Sequence, residues 1–221
     1  MTDWQDIRIG DLGEVVTGKT PPTSKSEYYG GTTQFLTPTD MDGRRIINQT
    51  IRYLSKEGEN KVSSSLLPKG SVSVSCIGSD MGKTVLLGKK SVTNQQINSI
   101  TVKDEFDNLF VYYNLSGRKS ELQFLASGAA QPIMNKTDFS NLKIKVPPLT
   151  EQKAISSVLS ALDNKIESND RVNKTLEEMA RTVYKSWFVD FDPVHAKATG
   201  NAPAHMDAKT ANLFPISFGD D

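Results

Sequence analysis

The stretch PPLTEQKAISSVLSALDNKIESNDRVNKTLEEMARTVYKSW, from Pro147 to Trp187, decides the architecture of this chain. After the Pro-Pro pair it contains neither glycine nor proline, and its apolar residues recur at helical spacing. Two series with a heptad period form one apolar stripe, interrupted only by Asn169 and Asn173. The series are Ile155, Leu162, Asn169, Leu176 and Val183, and Leu159, Ile166, Asn173, Ala180 and Trp187. The pattern predicts one long helix over residues 149–189.

Such a helix spans roughly 58 Å at ~1.5 Å per residue, which is longer than a small domain is wide. Its own domain cannot bury the whole stripe, so a partner helix is implied. The predicted dimerisation residues are Ile155, Leu159, Leu162, Ile166, Asn169, Asn173, Leu176 and Val183. Because a buried Asn is satisfied best by another Asn, we interpret the Asn pair as a device that sets the register. A solvated break in the stripe is the alternative.

Composition restricts the possible functions. The chain has 221 residues, enough for one ordinary domain and an appendage, and its 26 basic and 26 acidic residues balance. Residues 1–146 carry a small excess of Lys and Arg, which permits nucleic-acid binding without demanding it. Cys76 is the only cysteine, so an intrachain disulfide and a Cys-rich zinc site are excluded. The N-terminus is polar and no apolar run reaches membrane-spanning length, which predicts a cytoplasmic protein with no membrane partner.

The body, residues 1–148, shows short strand patterns separated by Gly, Pro and Asn. Serines alternate with apolar residues from Ser71 to Cys76, which predicts a half-buried strand. Further strands are predicted at residues 7–9, 84–87, 97–102 and 141–146, and helical spacing at residues 108–126 with Gly128 as the C-cap. Residues 190–221 lack periodicity and are predicted to form an irregular tail. The predicted fold class is therefore α+β, a globular mixed domain followed by a long helix.

One segment imitates a nucleotide-binding loop. Residues 13–20, GEVVTGKT, match the pattern G-x-x-x-x-G-K-T. That loop needs converging backbone N–H groups and a helix that begins at its Lys-Thr pair. Here Pro21 and Pro22 follow at once and remove two donors, so an NTPase that uses Lys19 is the weaker alternative. Residues 78–84, GSDMGKT, are one residue short of the pattern and are interpreted as a turn between two strands.

A second group imitates a catalytic or metal site. Asp190, Asp192 and His195 could form an acid–base or metal cluster. They fall in the predicted tail beside Pro193, which favours a structural interpretation. Both histidines of the chain lie in this tail, so the body cannot contain a His-based nucleophile relay. We therefore predict a protein that is not itself an enzyme and holds no cofactor or metal.

The loops of the body carry side chains that suit DNA. Asn and Gln can bind adenine through two hydrogen bonds, Arg can do so to guanine, and Lys, Ser and Thr hold phosphates. The candidates for DNA binding are Lys19, Thr20, Thr23, Lys25, Tyr28, Arg44, Arg45, Ser79, Lys83, Gln95, Gln131 and Lys136. Each one alone is more often a solvated surface residue, and their number on a mildly basic domain favours an interface.

Nine sequence motifs follow one another in the same order as in a known protein family. They are WQDIRIGDLGEVVTGKTPPT from Trp4, then EYYGG, LTPTDM, LPKGSVSVSCIGSDMGK, NQQIN, ASGAAQPIM, VPPLTEQ, LDNKIESND and SWFVDFDPVHAK. The set, which covers nearly all of the chain, is similar to the DNA-specificity (S) subunits of type I restriction–modification systems. In that family the GKTPP segment is a loop of the recognition domain, which accounts for the imitation of a nucleotide-binding loop.

The resemblance implies a target recognition domain at residues 1–148, a conserved spacer helix at 149–189 and a tail at 190–221. A complete S subunit has two such units, whose helices pack antiparallel. Its partners are double-stranded DNA, methylation (M) subunits that bring S-adenosylmethionine to adenine, and in some complexes a restriction (R) subunit. This chain has one recognition domain, so an antiparallel homodimer that reads a palindromic split target is expected. A stand-alone coiled-coil DNA-binding regulator is the alternative from another class.

Overall fold

The computed structural model describes residues 4–125 and 133–219 of the chain. These residues divide into two compact units between Ser160 and Ala161. The first turns of the long helix thus belong with the first unit, whereas the sequence placed that boundary at residue 148. The predicted C-cap Gly128 and the candidate Gln131 lie outside the described residues.

The first unit is a mixed α/β domain. Its strands are β1 (Gln5–Arg8), β2 (Gly13–Thr17), β3 (Tyr29–Leu36), β4 (Ile46–Ile47), β5 (Arg52–Leu54), β6 (Leu66–Leu67), β7 (Val72–Ser75), β8 (Thr84–Leu87), β9 (Ser91–Thr93), β10 (Ile97–Val102) and β11 (Lys143–Val146). Its helices are α1 (Ile9–Leu12), α2 (Lys56–Lys61), α3 (Asn108–Ser116), α4 (Lys119–Leu125), α5 (Lys136–Asn141) and the first turns of α6 (Leu149–Phe188). The predicted strands at 84–87 and 97–102 are present with the same bounds.

The described strands form three sheets. A five-stranded sheet has the order β2-β10-β7-β8-β4, a four-stranded sheet has the order β5-β3-β9-β6, and β1 pairs with β11. Most pairs are antiparallel, while β3 with β9 and β4 with β8 are parallel. One face of the five-stranded sheet packs on the helices, where Phe110 and Leu115 of α3 and Phe139 of α5 are buried. Burial of each such side chain contributes about 1.5–3 kcal/mol.

The serine face of β7 is buried, so the prediction of a half-buried strand was wrong. Ser73 Oγ lies 2.8 Å from Ser99 Oγ on the neighbouring strand β10. Val85 and Ile97 flank these hydroxyls on the same face and pack against Leu36 of the four-stranded sheet. The alternation of serine with valine indicated two chemically different faces. It did not indicate that a second sheet covers the hydroxyl face.

Helix α6 contains 40 residues and confirms the long helix predicted from the heptad pattern. Its first turns are anchored by Gln152, which is 1% exposed. The Gln152 side chain donates to Pro147 O over 2.8 Å and accepts from the backbone N–H of Asp107 over 2.9 Å. Ile155 is half-buried against the core of the first unit. This stripe residue is therefore partly covered within the chain itself.

The second unit comprises the rest of α6 with α7 (Asp192–Ala198) and α8 (Ala208–Ala211). The ring of Phe214 lies 5.7 Å from that of Trp187 and 6.0 Å from that of Phe188. Lys197 Nζ donates to the carbonyl of Phe214 over 2.6 Å. The structure thus places two short helices and an aromatic cluster where the sequence predicted an irregular tail. Tail segments too short to show periodicity can still fold when aromatic side chains pack on a neighbouring helix.

Candidate nucleic-acid interface

The register of the five-stranded sheet brings several loops to one end. The pairings that define this end are Thr17 with Asn98, Ser75 with Ile97, Val74 with Thr84, and Ile46 with Leu86. Accordingly, β2 and β7 finish here, while β10, β8 and β4 begin here. We call this edge of the domain the loop end.

Most of the DNA candidates predicted from sequence lie at the loop end. Lys19 and Thr20 follow β2, Ser79 follows β7, and Lys83, Gln95 and Arg44 precede β8, β10 and β4 respectively. Lys136 joins them through the preceding residues, because Met134 N donates to Cys76 O over 3.0 Å and Asn98 donates to Met134 O over 3.1 Å. Residues scattered over more than a hundred positions of sequence therefore share one edge of the domain.

Direct hydrogen bonds join the loop that follows β2 to the loop that precedes β10. Thr20 Oγ1 donates to Gln95 Oε1 over 2.5 Å, and Gly18 N donates to Ile97 O over 3.1 Å. A Cβ atom on Gly18 would lie 2.2 Å from the carbonyl oxygens of Thr93 and Asn94. Only glycine permits this approach of the two backbones. The glycine of the GKT segment is thus explained by contact between loops.

The same geometry rules out the NTPase interpretation of this segment. Gly13–Thr17 is strand β2, paired with β10, and residues 18–22 form no helix. A phosphate-binding loop instead wraps the anion and leads into a helix at its Lys-Thr pair. Lys19 Nζ donates to Ser64 Oγ over 2.9 Å. The shorter imitation at residues 78–84 is a turn between β7 and β8, as predicted.

The four-stranded sheet contributes to the same edge. Leu36 pairs with Thr93 and Val92 with Leu66, so β3 and β9 finish where β6 begins. Phe35 pairs with Arg52, which brings the start of β5 to this end as well. Residues 94–96 run from β9 into β10 and join the two sheets. The loop end is therefore built from both sheets.

Three candidates belong to the segment that precedes β3. Lys25 Nζ lies 5.6 Å from the ring centroid of Tyr28 and 3.8 Å from Glu27 Oε1. Tyr29 OH donates to Pro21 O over 2.8 Å and holds the segment against β3. Thr23 lines a hollow of about 410 Å³ with Ile51 and Arg52. This segment connects the first group of candidates with the start of β5.

The positively charged candidates differ in how far burial or an ion pair within the chain leaves them able to contact DNA. Arg45 is 8% exposed and donates to Tyr113 OH over 3.1 Å, so it is a buried residue and was wrongly placed on the surface. Arg44 Nε lies 2.8 Å from Asp42 Oδ1, and the side-chain hydrogen bond lowers the pKa of that carboxyl. Lys83 Nζ lies 2.7 Å from Asp80. Lys19, which donates to a neutral hydroxyl, keeps its charge uncompensated by this contact.

The tail residues Asp190, Asp192 and His195, for which the sequence favoured a structural interpretation, make contacts within the second unit. Lys185 binds Asp190 over 2.6 Å and Ser186 donates to Asp192 over 2.6 Å. The ring of His195 lies 4.8 Å from that of Phe218. Among the described residues, no group of three or more His, Cys, Asp and Glu side chains could hold a metal ion. Within the same residues, no helix is long and apolar enough to cross a membrane.

Helix α2, which packs against the segment that precedes β3, contains a buried carboxylate. Glu59 of α2, whose side chain is 7% exposed, binds Lys56 over 2.6 Å, Thr33 over 2.5 Å and Lys90 over 3.1 Å. These hydrogen bonds, with Lys56 the strongest, lower the pKa of Glu59 to about 2. A Cβ on the adjacent Gly58 would lie 2.1 Å from Tyr28 O. Helix α2 therefore packs directly beneath Tyr28.

Replacement of this carboxylate should cost stability in a pH-dependent manner. Glu59→Gln is expected to lower the free energy of unfolding by ~1–3 kcal/mol at pH 7, because it removes charge-assisted hydrogen bonds. Since the folded pKa is depressed, the stabilisation is full above the unfolded pKa of ~4.3 and is lost as the pH falls through about 2. Urea unfolding at pH 7 and pH 2.5, with exposed Glu57→Gln as control, measures the difference. A Glu59→Gln deficit that stays constant with pH would contradict the assignment.

Comparison with known proteins places the chain in a family. A family model described as "Type I restriction modification DNA specificity domain" matches residues 1–178. The chain belongs to this family. The resemblance inferred from the ordered motifs is thereby confirmed.

Curated members of the specificity family extend the match. The MjaIX specificity subunit of Methanocaldococcus jannaschii is 29% identical over 195 residues, which cover 86% of this chain and 45% of that protein. The HindI specificity subunit of Haemophilus influenzae is 35% identical over 184 residues, covering 80% of this chain and 39% of that protein. The chain thus spans less than half the length of the curated relatives it matches.

Solved structures from the specificity family share the fold. The S subunit of a type I restriction–modification system from M. genitalium matches with a TM-score of 0.58 at 20% identity, over 90% of this chain and 46% of that one. The HsdS subunit from Thermoanaerobacter tengcongensis matches with a TM-score of 0.57 at 19% identity, over 84% and 44%. The predicted fold class, a mixed domain followed by a long helix, is confirmed.

Proposed function

We propose that this chain is the non-catalytic DNA-recognition subunit of a type I adenine methyltransferase and acts as an antiparallel homodimer. The observation that carries the DNA-binding part is the loop end, where both sheets present Lys19, Thr20 and Gln95 together. Lys and Thr suit phosphate, and a Gln amide suits the major-groove edge of adenine. Membership of a DNA-specificity family supports the same assignment.

The apolar stripe of α6 supports self-association. Leu162 is 58% exposed, Ile166 58%, Leu176 56% and Val183 44%. Exposure to water of large apolar side chains aligned along one helix face is energetically unfavourable unless a partner covers them. A second copy of α6 supplies a face of the same kind and length.

The order of the stripe residues suits an antiparallel pair of identical helices. When two copies are centred on position 171, Asn169 of one lies opposite Asn173 of the other. In that register the partner's Trp187, Val183, Ala180 and Leu176 lie opposite Ile155, Leu159, Leu162 and Ile166. The small Ala180 of the partner lies opposite the large Leu162. Each of these pairs occurs twice because the arrangement is symmetric.

Two recognition domains held at opposite ends of such a pair would read two identical half-sites in inverted orientation. The target is therefore a split palindrome. M subunits that carry S-adenosylmethionine would dock alongside and methylate adenine, and an R subunit joins where cleavage is required. The subunit itself supplies recognition and spacing, and the complex works in the cytoplasm.

Reconstitution with a type I M subunit tests the proposal. The purified pair should methylate adenine within one split palindromic motif, read by sequencing the modified bases, and neither protein alone should do so. Lys19→Ala should lower methylation at limiting DNA by about tenfold, because one phosphate contact is lost in each of the two copies. Lys69→Ala, an exposed lysine at the opposite end of the sheet, is the matched control. DNA binding without activation of any M subunit would instead identify a stand-alone regulator.

A further inference from the structure

Ile51 is an exposed aliphatic side chain on a firmly held loop. The side chain is 73% exposed immediately before β5. Its backbone N–H donates to Asp40 Oδ1 over 2.7 Å, and the other oxygen of Asp40 accepts from Thr37 N over 2.8 Å. Asp40 is only 3% exposed. A buried carboxylate therefore fixes the backbone that presents Ile51 to solvent.

The surroundings of Ile51 suit an anionic ligand. The hollow beside it is lined by Thr23, Tyr29, Gly30, Gly31, Ile51, Arg52 and Tyr53, with no carboxylate among them. The guanidinium carbon of Arg52 lies 5.1 Å from the ring centroid of Phe35, and no ion pair of Arg52 is found among the described residues. An apolar group thus stands next to a cation whose charge no carboxylate balances.

The position of Ile51 places it on the candidate interface. Arg52 pairs with Phe35 at the end of β3, and Asn94 N donates to Leu36 O over 2.9 Å at the same end. The loop that bears Gln95 therefore begins one strand away from β3. Single exposed aliphatic residues are common on protein surfaces. Ile51 differs because Asp40 holds its backbone and because it lines one hollow with Thr23, a residue selected independently as a DNA contact.

We propose that Ile51 packs against the C5-methyl group of a thymine in the recognised half-site, while Arg52 contacts a neighbouring phosphate. The major-groove edge of an A·T pair presents this methyl group, which aliphatic side chains recognise by apolar contact. The phosphate contact positions the side chain and carries no sequence information. Ile51 then determines specificity at one base pair. This inference rests on the proposed function.

Removal of the thymine methyl tests the contact directly. The motif methylated by the complex with M subunits is first determined, and each thymine in a half-site is then replaced singly by deoxyuridine. The wild-type complex should bind one of these duplexes about fourfold more weakly, because one apolar methyl group is no longer buried. For Ile51→Ala the same replacement should have no effect. Ile216→Ala, equally exposed at 73% in the second unit, should behave as the wild type.

The outcomes separate this inference from the proposed function. If the wild-type complex binds every deoxyuridine duplex equally, or if Ile51→Ala retains the full fourfold loss, Ile51 does not read a thymine methyl group although sequence recognition stands. If no motif is methylated at all, the proposed function fails first. Thermal unfolding of Ile51→Ala, expected to match the wild type, checks that the variant is folded.

Discussion

Ile166→Asp should convert the protein from a dimer to a monomer. In the proposed register Ile166 lies opposite the partner's Leu176, so the substitution buries two carboxylates without a counter-charge in each dimer. An uncompensated buried charge costs at least ~3 kcal/mol, so the dissociation constant should rise by about four orders of magnitude. Sedimentation velocity over a range of concentrations measures the change.

The matched control for this substitution is Thr175→Asp. It adds the same charge to the same helix on the face opposite the stripe, so it should leave the dimer intact. Circular dichroism should show a folded first unit in both variants, since Ile166 is 58% exposed and outside that unit. Methylation of the split target should be lost in Ile166→Asp alone. A wild-type protein that sediments as a monomer at every concentration would refute the symmetric dimer.

Replacing both Asn169 and Asn173 with Leu should have the opposite effect on affinity. The apolar stripe would then continue without interruption, and the pair should associate about tenfold or more tightly. The register of the helix pair should become less specific, because helices displaced by one heptad would no longer leave a buried amide without a hydrogen-bond partner. The double variant should therefore populate several registers.

The spacing of methylated half-sites reports this loss of alignment. The wild-type complex should accept one spacer length, and the double variant should accept several, as seen by sequencing the modified adenines. Asn164→Leu, which adds an apolar residue on the opposite face of α6, is the control. If the double variant kept one spacer length and unchanged affinity, the asparagines would be a solvated break in the stripe.

Sequence patterns predicted some parts of this structure better than others. The long helix was predicted nearly to the residue because a period sustained over heptads admits one interpretation. Strand β10 was found from local alternation. Burial was harder, because a pattern distinguishes two faces without identifying what covers them. The serines of β7 and the guanidinium of Arg45 were consequently misplaced, since both are covered by distant segments.

The candidate interface was predicted as a set of residue types, and its geometry came from the register. Nothing local in the sequence indicates that Lys19 and Gln95 meet at one end of a sheet. Ile51 was overlooked for a related reason, since an isoleucine before a strand is normally assigned to the core. The exposure of the side chain shows that it faces solvent, and the bond from its backbone to Asp40 shows what holds the loop in place.

Gln152 has a consequence for how recognition units of this kind are exchanged. Its side chain bonds both the Pro147 carbonyl and the Asp107 backbone, and so belongs to the domain although it lies in the helix. A chimera joined at the Pro-Pro pair would separate this glutamine from the domain it evolved with. A splice after Ser160 keeps donor and acceptor together, so recombinant specificities built there should inherit intact modules.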